Sequence, residues 1–262
     1  MFWCGSNGSA DEASPQPRRS VPSRQVWRWN SIVRRLAFME AATAVGLTLA
    51  LLGPLLIARI GEGAQPGPGR MPRLLGAQLA LCALVLLVLT IAFSFEGLTW
   101  RQVGLRAPTF TSVVYGLVLA GFLVYVYGPT VHWLLSRFQL GGFELGLAKL
   151  QGLPLWYLLL AVLIGGAAEE ILFRGYAFES LTLITGSLWL AGAIPLLLFA
   201  IAHVPMWGWP ASLTILLSGA ILTVWYAWHR DLSANIIAHC LTDFVGLVLA
   251  PAIQRRRGRR DV

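Results

Sequence analysis

Apolar residues fall along this chain in blocks of roughly twenty, longer than the alternating or three-four patterns of half-buried strands and surface helices. The blocks are Leu36–Ile57, Leu74–Phe95, Val113–Leu135, Leu155–Phe178, Leu188–Val204, Ala211–Trp228 and Leu232–Ile253. A hydrocarbon core of about 30 Å takes about 20 residues of helix, so each block is long enough to cross it. The pattern predicts an all-α protein, a polytopic transmembrane helical bundle of about seven to eight spans. Glu40 interrupts the first block near its start and is placed at the interface, paired with Arg35 on the adjoining turn.

The connections support this division. A Gly/Pro-rich loop with Arg59, Arg70 and Arg73 separates the first two blocks. Glu96–Pro108 carries Trp100, Arg101 and Arg106, which predicts a short amphipathic interfacial helix or loop at headgroup level. Pro205–Pro210 is uncharged, aromatic and bracketed by prolines, as an interfacial or re-entrant turn should be. His132 beside Trp133 and His229 beside Arg230 stand at block ends and are read as interfacial.

Composition agrees. The chain is 56% hydrophobic and only 12% charged, whereas soluble domains carry about 25% charged residues. The net charge of +8 comes largely from Arg18, Arg19, Arg24, Arg28, Arg34 and Arg35, and from the tail Arg255, Arg256, Arg257, Arg259 and Arg260. Basic clusters beside apolar spans read as flanks facing anionic lipid, with no nucleic acid as a partner. They set the N-terminus in the cytoplasm of a multi-pass cell-membrane protein. Two cytoplasmic ends require an even number of crossings, which makes one block re-entrant or places an eighth near Phe138–Leu150. Cys4, Cys82 and Cys240 are too scattered for a disulfide framework or a metal-ligand spacing. Met1–Cys4 is too short an apolar run for a signal peptide. Residues 1–30 are expected to be a disordered basic tail. Residues 31–152 are the N-terminal helices with the interfacial segment, 153–254 the chemical core, and 255–262 a second basic tail.

Within the core, three charges interrupt an otherwise apolar stretch: Glu169, Glu170 and Arg174. Each costs about 2.5–3.5 kcal/mol at the bilayer centre on insertion scales, so a span does not carry them without a use. Three pairs are four residues apart: Glu170 with Arg174, Phe199 with His203, and His239 with Asp243. Residues so spaced share one helix face. Glu170 and Arg174 can then neutralise each other while Glu169, rotated about 100° away, stays free for chemistry. At about 1.5 Å per residue from span ends near Ser180, Ser187 and Asp231, Glu169 lies about 16 Å deep and His203 about 24 Å. The same count sets His239 at about 12 Å and Asp243 at about 18 Å, so all four can meet near mid-membrane. A glutamate in an apolar site suits a general base. Nearby histidines orient water, donate to an oxyanion, or join the glutamate in binding a metal.

Glu-Glu-x-x-x-Arg, Phe-x-x-x-His and His-x-x-x-Asp occur in that order on successive spans. Over about Leu153–Leu249 this resembles the CAAX protease and bacteriocin-processing family of intramembrane proteases, and Trp100–Leu105 is similar to a segment common upstream of that core. The resemblance implies a helical bundle with a site open to membrane or cytosol. There, glutamate-activated water would cleave a membrane-associated protein or peptide, prenylated in one branch of the family. It implies Glu169 as catalytic glutamate, Glu170 and Arg174 as its supporting pair, and His203 and His239 as the two histidines. Asp243 stands where the family most often has Asn. A neutral Asn would donate to an oxyanion, and an ionised Asp would repel one. Asp243 is therefore protonated, bonded to His239, or a metal ligand. Both a zinc mechanism with Glu169, His203 and His239 as ligands and a metal-free one fit the resemblance, so the cofactor stays open.

Other readings of the same residues exist. Glu170 with Arg174 can be a structural pair, His203 a core histidine satisfied by a backbone carbonyl, and Phe199 and Cys240 packing. A non-proteolytic immunity or scaffold protein would keep the fold without the chemistry. A proton-coupled transporter would use the same Asp, Glu and His as a relay, and an inverted repeat would favour it.

Overall fold

The computed structural model describes residues 23–62 and 69–258. The chain divides into two units, 1–38 and 39–262. The first holds the opening turns of helix α1 (Ser23–Glu62). The second holds α2 (Arg70–Ser94), α3 (Phe110–Arg137), the short α4 (Glu144–Leu150), α5 (Leu155–Thr185), α6 (Leu188–Trp207), α7 (Trp209–His229) and α8 (Leu232–Gln254, helical on to Gly258). Among the described residues there is no strand, and seven helices are long and apolar enough to cross a membrane.

Two expectations change, and a third resolves to one of its alternatives. Of the tail expected over 1–30, residues 1–22 lie outside the described ones, and helix is already present from Ser23. No Pro or Gly occurs between Ser23 and Gly46, so the helix propagates back from its apolar span. The region Phe138–Leu150 provides no eighth span. It holds only α4, whose seven residues measure about 10 Å. Among the described residues the count is seven, so an even number of crossings would need one of these blocks to be re-entrant. Glu96–Pro108, expected as a short interfacial helix or loop, forms turns and loop, and its residues differ in burial. Trp100 is exposed against Phe93, whereas Glu96 and Val103 are buried. The last four residues lie outside what is described, as does the side chain of Arg35 and with it the pairing drawn for Glu40; Glu40 itself is exposed.

The helices that carry the core are joined by very short turns. Gly186, with φ of 64°, ends α5, and the Ser187 hydroxyl then accepts from Leu190 N to start α6. Gly208, with φ of 79°, is the whole connection between α6 and α7. Positive φ costs a side chain little only at glycine. Arg230 takes a left-handed φ of 51° at the end of α7. It is held by its ion pair with Glu179 at 2.7 Å and by the Phe178 ring 4.9 Å away. Asp231 caps α8 through Ala234 N at 3.1 Å. Connections this short leave consecutive helices antiparallel neighbours.

Three helices contain π-helical turns, at Leu123–Tyr127, Glu170–Ala177 and Phe244–Leu249. The first has a local cause. Pro129 has no N–H for the carbonyl of Tyr125, so the ladder slips by one residue ahead of it. The second lies in the acidic motif. Packing is close where side chains are small: a β-carbon at Gly166 would lie 2.8 Å from Cys240 Sγ, and one at Gly146 1.9 Å from the Trp207 ring. Van der Waals contact of this kind holds helices together in lipid, where no hydrophobic drive separates helix from solvent. Ala50, Val88, Leu172 and Tyr176 tie α1, α2 and α5 into one cluster, and Leu119, Leu222 and Ala238 tie α3, α7 and α8 into another. Leu56, Leu79, Leu86, Leu117, Trp189 and Val224 point outward, as a lipid-facing surface requires.

Candidate functional site

Glu170 opens the π-helical turn of α5 and is fully buried. Its Oε1 accepts from Arg174 Nη1 at 2.8 Å and from His239 Nδ1 at 2.8 Å. Its Oε2 accepts from Asn235 Nδ2 at 3.2 Å. Arg174 is buried as well; it donates to Gly219 O at 3.2 Å and lies 4.5 Å over the Phe199 ring. A carboxylate this deep is tolerable only with its acceptor sites filled and an opposite charge beside it. Both conditions are met by residues of α5 and α8.

The imidazoles are oriented by their second nitrogens. His203 Nδ1 donates to Phe199 O at 2.7 Å, a bond one helical turn long. His239 Nδ1 donates to Glu170. With both Nδ1 protons committed, both Nε2 atoms face Glu169: His203 Nε2 lies 3.9 Å from Oε1 and His239 Nε2 3.6 Å from Oε2. Asp243 Oδ2 is 3.6 Å from the same His239 Nε2. These separations exceed hydrogen-bond length, as is common in catalytic groups awaiting substrate. Accessibility is graded: Glu169 and His203 are 22% and 19% exposed, whereas Glu170 is fully buried.

A cavity of about 780 Å³ leads to this cluster. Along α5 it is lined by Tyr157, Ala161, Gly165 and Glu169, four residues apart and so on one face. His203 and Asp243 close one part of it, and Arg70, Lys149 and Gln151 line another. Lys149 Nζ donates to Pro205 O at 2.9 Å, and Arg70 donates to the backbone carbonyls of Lys149 and Gln151. A second cavity, of about 110 Å³, shares His203, Trp207, Asp243 and Leu247 with the first and adds His239.

The residues singled out in the sequence come together: Glu169, His203, His239 and Asp243 around the Nε2 atoms, with Glu170, Arg174 and Phe199 beneath. Counting residues from span ends separated His203 and His239 by about 12 Å of depth, because it assumed level ends and untilted helices. Two readings of single residues coexist. His203 is satisfied by a backbone carbonyl and also faces Glu169, while Phe199 packs against Phe173 at 5.5 Å and supports Arg174. The His229 ring lies tilted against that of Trp225 at 4.4 Å, and His132 is exposed; both stand apart from the cluster. Cys240 Sγ rests 3.6 Å from Val162 O.

Sequence reasoning missed Asn235, although it stands four residues before His239 and shares its face. It also missed the buried bond from Tyr176 Oη to Glu96 Oε1, 2.5 Å long and 80 residues apart in the chain, for which no local pattern gives a sign. Among the described residues no group of three or more His, Cys, Asp or Glu is disposed to hold a metal ion. Glu169, His203 and His239 therefore do not fit as a ready ligand set.

Fold and site define a class: a polytopic helical membrane protein with a carboxylate–imidazole cluster reached through a cavity in its bundle. More particularly, residues 151–245 match the family model of Rce1-like proteins, described as type II CAAX prenyl endopeptidase Rce1-like. This agrees with the resemblance carried by the three motifs. The matched segment is little more than a third of the chain and contains every residue of the cluster. Nothing among curated proteins or among solved structures matches the chain.

Proposed function

We propose that this protein is an intramembrane endopeptidase that cleaves a membrane-associated protein or peptide with water activated by Glu169. One observation carries the reading: two imidazoles from different helices turn their Nε2 atoms on one accessible carboxylate beside a bundle cavity. Glu169 takes a proton from water as the oxygen attacks the peptide carbonyl. The tetrahedral intermediate then collapses, the C–N bond breaks, and the same proton goes to the leaving nitrogen. His203 and His239 flank the reacting centre: a neutral Nε2 accepts from the water, and an Nε2 that carries a proton donates to the developing oxyanion. Glu170 fixes the tautomer and ring angle of His239, a task for which Arg174 and Asn235 hold Glu170 still. Asp243 stands beside His239 as its partner. No step is routed through a metal. The match to the CAAX prenyl endopeptidase Rce1-like family supports a substrate that reaches the site from the bilayer, a prenylated chain being one such case. The arginine-rich start of the chain supports a cytoplasmic N-terminus in the cell membrane.

The test uses the full chain in lipid vesicles with membrane-tethered peptides. Glu169→Ala, His203→Ala and His239→Ala are each expected to lose cleavage by about 10²–10⁴-fold, the usual worth of a positioned acid or base. Wild-type rates in all three would sink the assignment.

A further inference from the structure

The large cavity is electrically polarised along its length. Its lining holds two carboxylates, Glu169 and Asp243, and two cations, Arg70 and Lys149. The carboxylates stand at the reacting end. The cations stand at span ends, Arg70 on the first residue of α2 and Lys149 near the end of α4, just before α5 begins. Along the face of α5 that lines the cavity, Tyr157 to Glu169 measures about 18 Å, so the cations lie at least that far from the chemistry.

Neither cation meets a carboxylate: among the described residues no ion pair includes Arg70 or Lys149. Arg70 gives Nη1 to Gln151 O at 3.4 Å and Nη2 to Lys149 O. Lys149 gives Nζ to Pro205 O at 2.9 Å and Met206 O at 3.3 Å. All these acceptors are neutral carbonyls. A guanidinium has five N–H donors and an ammonium three, so both keep donors for a further acceptor. A carboxylate there would be held by charge-assisted bonds, about twice as strong as neutral ones. Between the two ends a second group lacks a partner. Gln78 lies about 12 Å along α2 from Arg70, and its Oε1 is buried with no donor. The wall around it, with Leu74, Leu81, Leu153 and Ala161, is apolar. An occupant that satisfies Gln78 carries an N–H part way down, which a peptide backbone has and an acyl chain lacks.

We propose that Arg70 and Lys149 form an exosite for a carboxylate on the substrate chain, about five to six residues from the cleaved bond. The inference rests on the proteolytic reading given above. An extended chain advances about 3.3 Å per residue, which sets that spacing for a run of about 18 Å. With its cleaved carbonyl at Glu169, the chain passes Gln78, which accepts one backbone N–H, and its acid reaches the two cations. An anion is repelled from the Glu169 end and attracted to the other, so the same charges fix the register of the chain. The carboxylate is an Asp or Glu side chain or a free C-terminus.

The experiment measures kcat and KM of the full-length protein, reconstituted in phosphatidylcholine vesicles, on lipid-anchored peptides. In one set the C-terminus is amidated and a single Glu, with Gln as its neutral counterpart, moves one residue at a time away from the cleaved bond. In the other the chain has no acidic side chain and ends at each of those distances, with a free or an amidated C-terminus. Wild type should show at least tenfold higher kcat/KM for a carboxylate at about five to six residues, expressed in KM, the worth of a hydrogen bond to a charged group. The set that shows it identifies the source. Arg70→Gln and Lys149→Gln should each bring the acid-to-neutral ratio there to within about threefold of one. Arg70→Glu should reverse the preference in favour of Lys at the same position, a rescue that a merely structural Arg70 could not give. No positional preference, or one that survives both substitutions, makes the exosite wrong while the protease reading stands. Rates that instead follow added phosphatidylglycerol, and cease to do so in both variants, would assign the cations to lipid headgroups and overturn it as well. A wild-type protein that cleaves none of the peptides removes both readings.

Discussion

Replacing Arg174 by Leu tests the electrostatic support of the site. The substitution keeps a long apolar stem and removes the cation that faces Glu170 at 2.8 Å. Glu170, with no exposed surface, would keep its bonds from His239 and Asn235 and lose its counter-charge. Two magnitudes bear on the cost. Breaking a buried ion pair from one side costs about 3–5 kcal/mol in soluble proteins. An uncompensated charge at the membrane centre costs about 2.5–3.5 kcal/mol on insertion scales. Neutral hydrogen bonds between membrane helices average only about 0.6 kcal/mol, so the charge dominates. The ranges meet near 3 kcal/mol, a factor of about a hundred or more in the folding equilibrium. The assay is reversible unfolding in mixed micelles or bicelles, with Glu170→Leu/Arg174→Leu measured beside it. The double variant should recover most of the lost stability, since the buried charge is gone, and stay inactive, since His239 loses its orienting acceptor. A loss below about 1 kcal/mol for Arg174→Leu, or a double variant less stable than the single, would refute this account.

Other outcomes follow from neighbouring contacts. Asn235→Leu should lower kcat about ten- to hundredfold with KM unchanged, and should add no further loss in a Glu170→Gln background; additive losses would mean that Asn235 does not act through Glu170. Asp243→Asn exchanges a carboxylate 3.6 Å from His239 Nε2 for a neutral donor, so its activity should stay within about threefold of wild type, whereas Asp243→Leu should fall at least tenfold. An Asn variant as dead as Glu169→Ala would make the charge of Asp243 essential. A strong zinc chelator followed by zinc add-back separates the two water-activation schemes: an unchanged rate is the outcome expected where Glu169 acts on water unaided, and loss restored by added zinc would overturn that scheme.

Much of this protein was legible as a string. Blocks of roughly twenty apolar residues can only be membrane helices, because lipid forces every backbone bond to close within its own segment. All seven spans were therefore readable without coordinates, as the described helices attest. The pairs Glu170–Arg174, Phe199–His203 and His239–Asp243 were readable for a related reason: a helix fixes what lies four residues away. What one helix does not fix is its rotation and depth against the next. That His239 gives Nδ1 to Glu170 rather than to Asp243, on its own helix, was settled by how α5 and α8 pack through Gly166 and Cys240. Asn235 gained its partners the same way, and Glu96, read as part of an interfacial segment, was buried against Tyr176. Local geometry travels with the sequence; which faces meet depends on side-chain shape across elements, and that exists only once the bundle has packed.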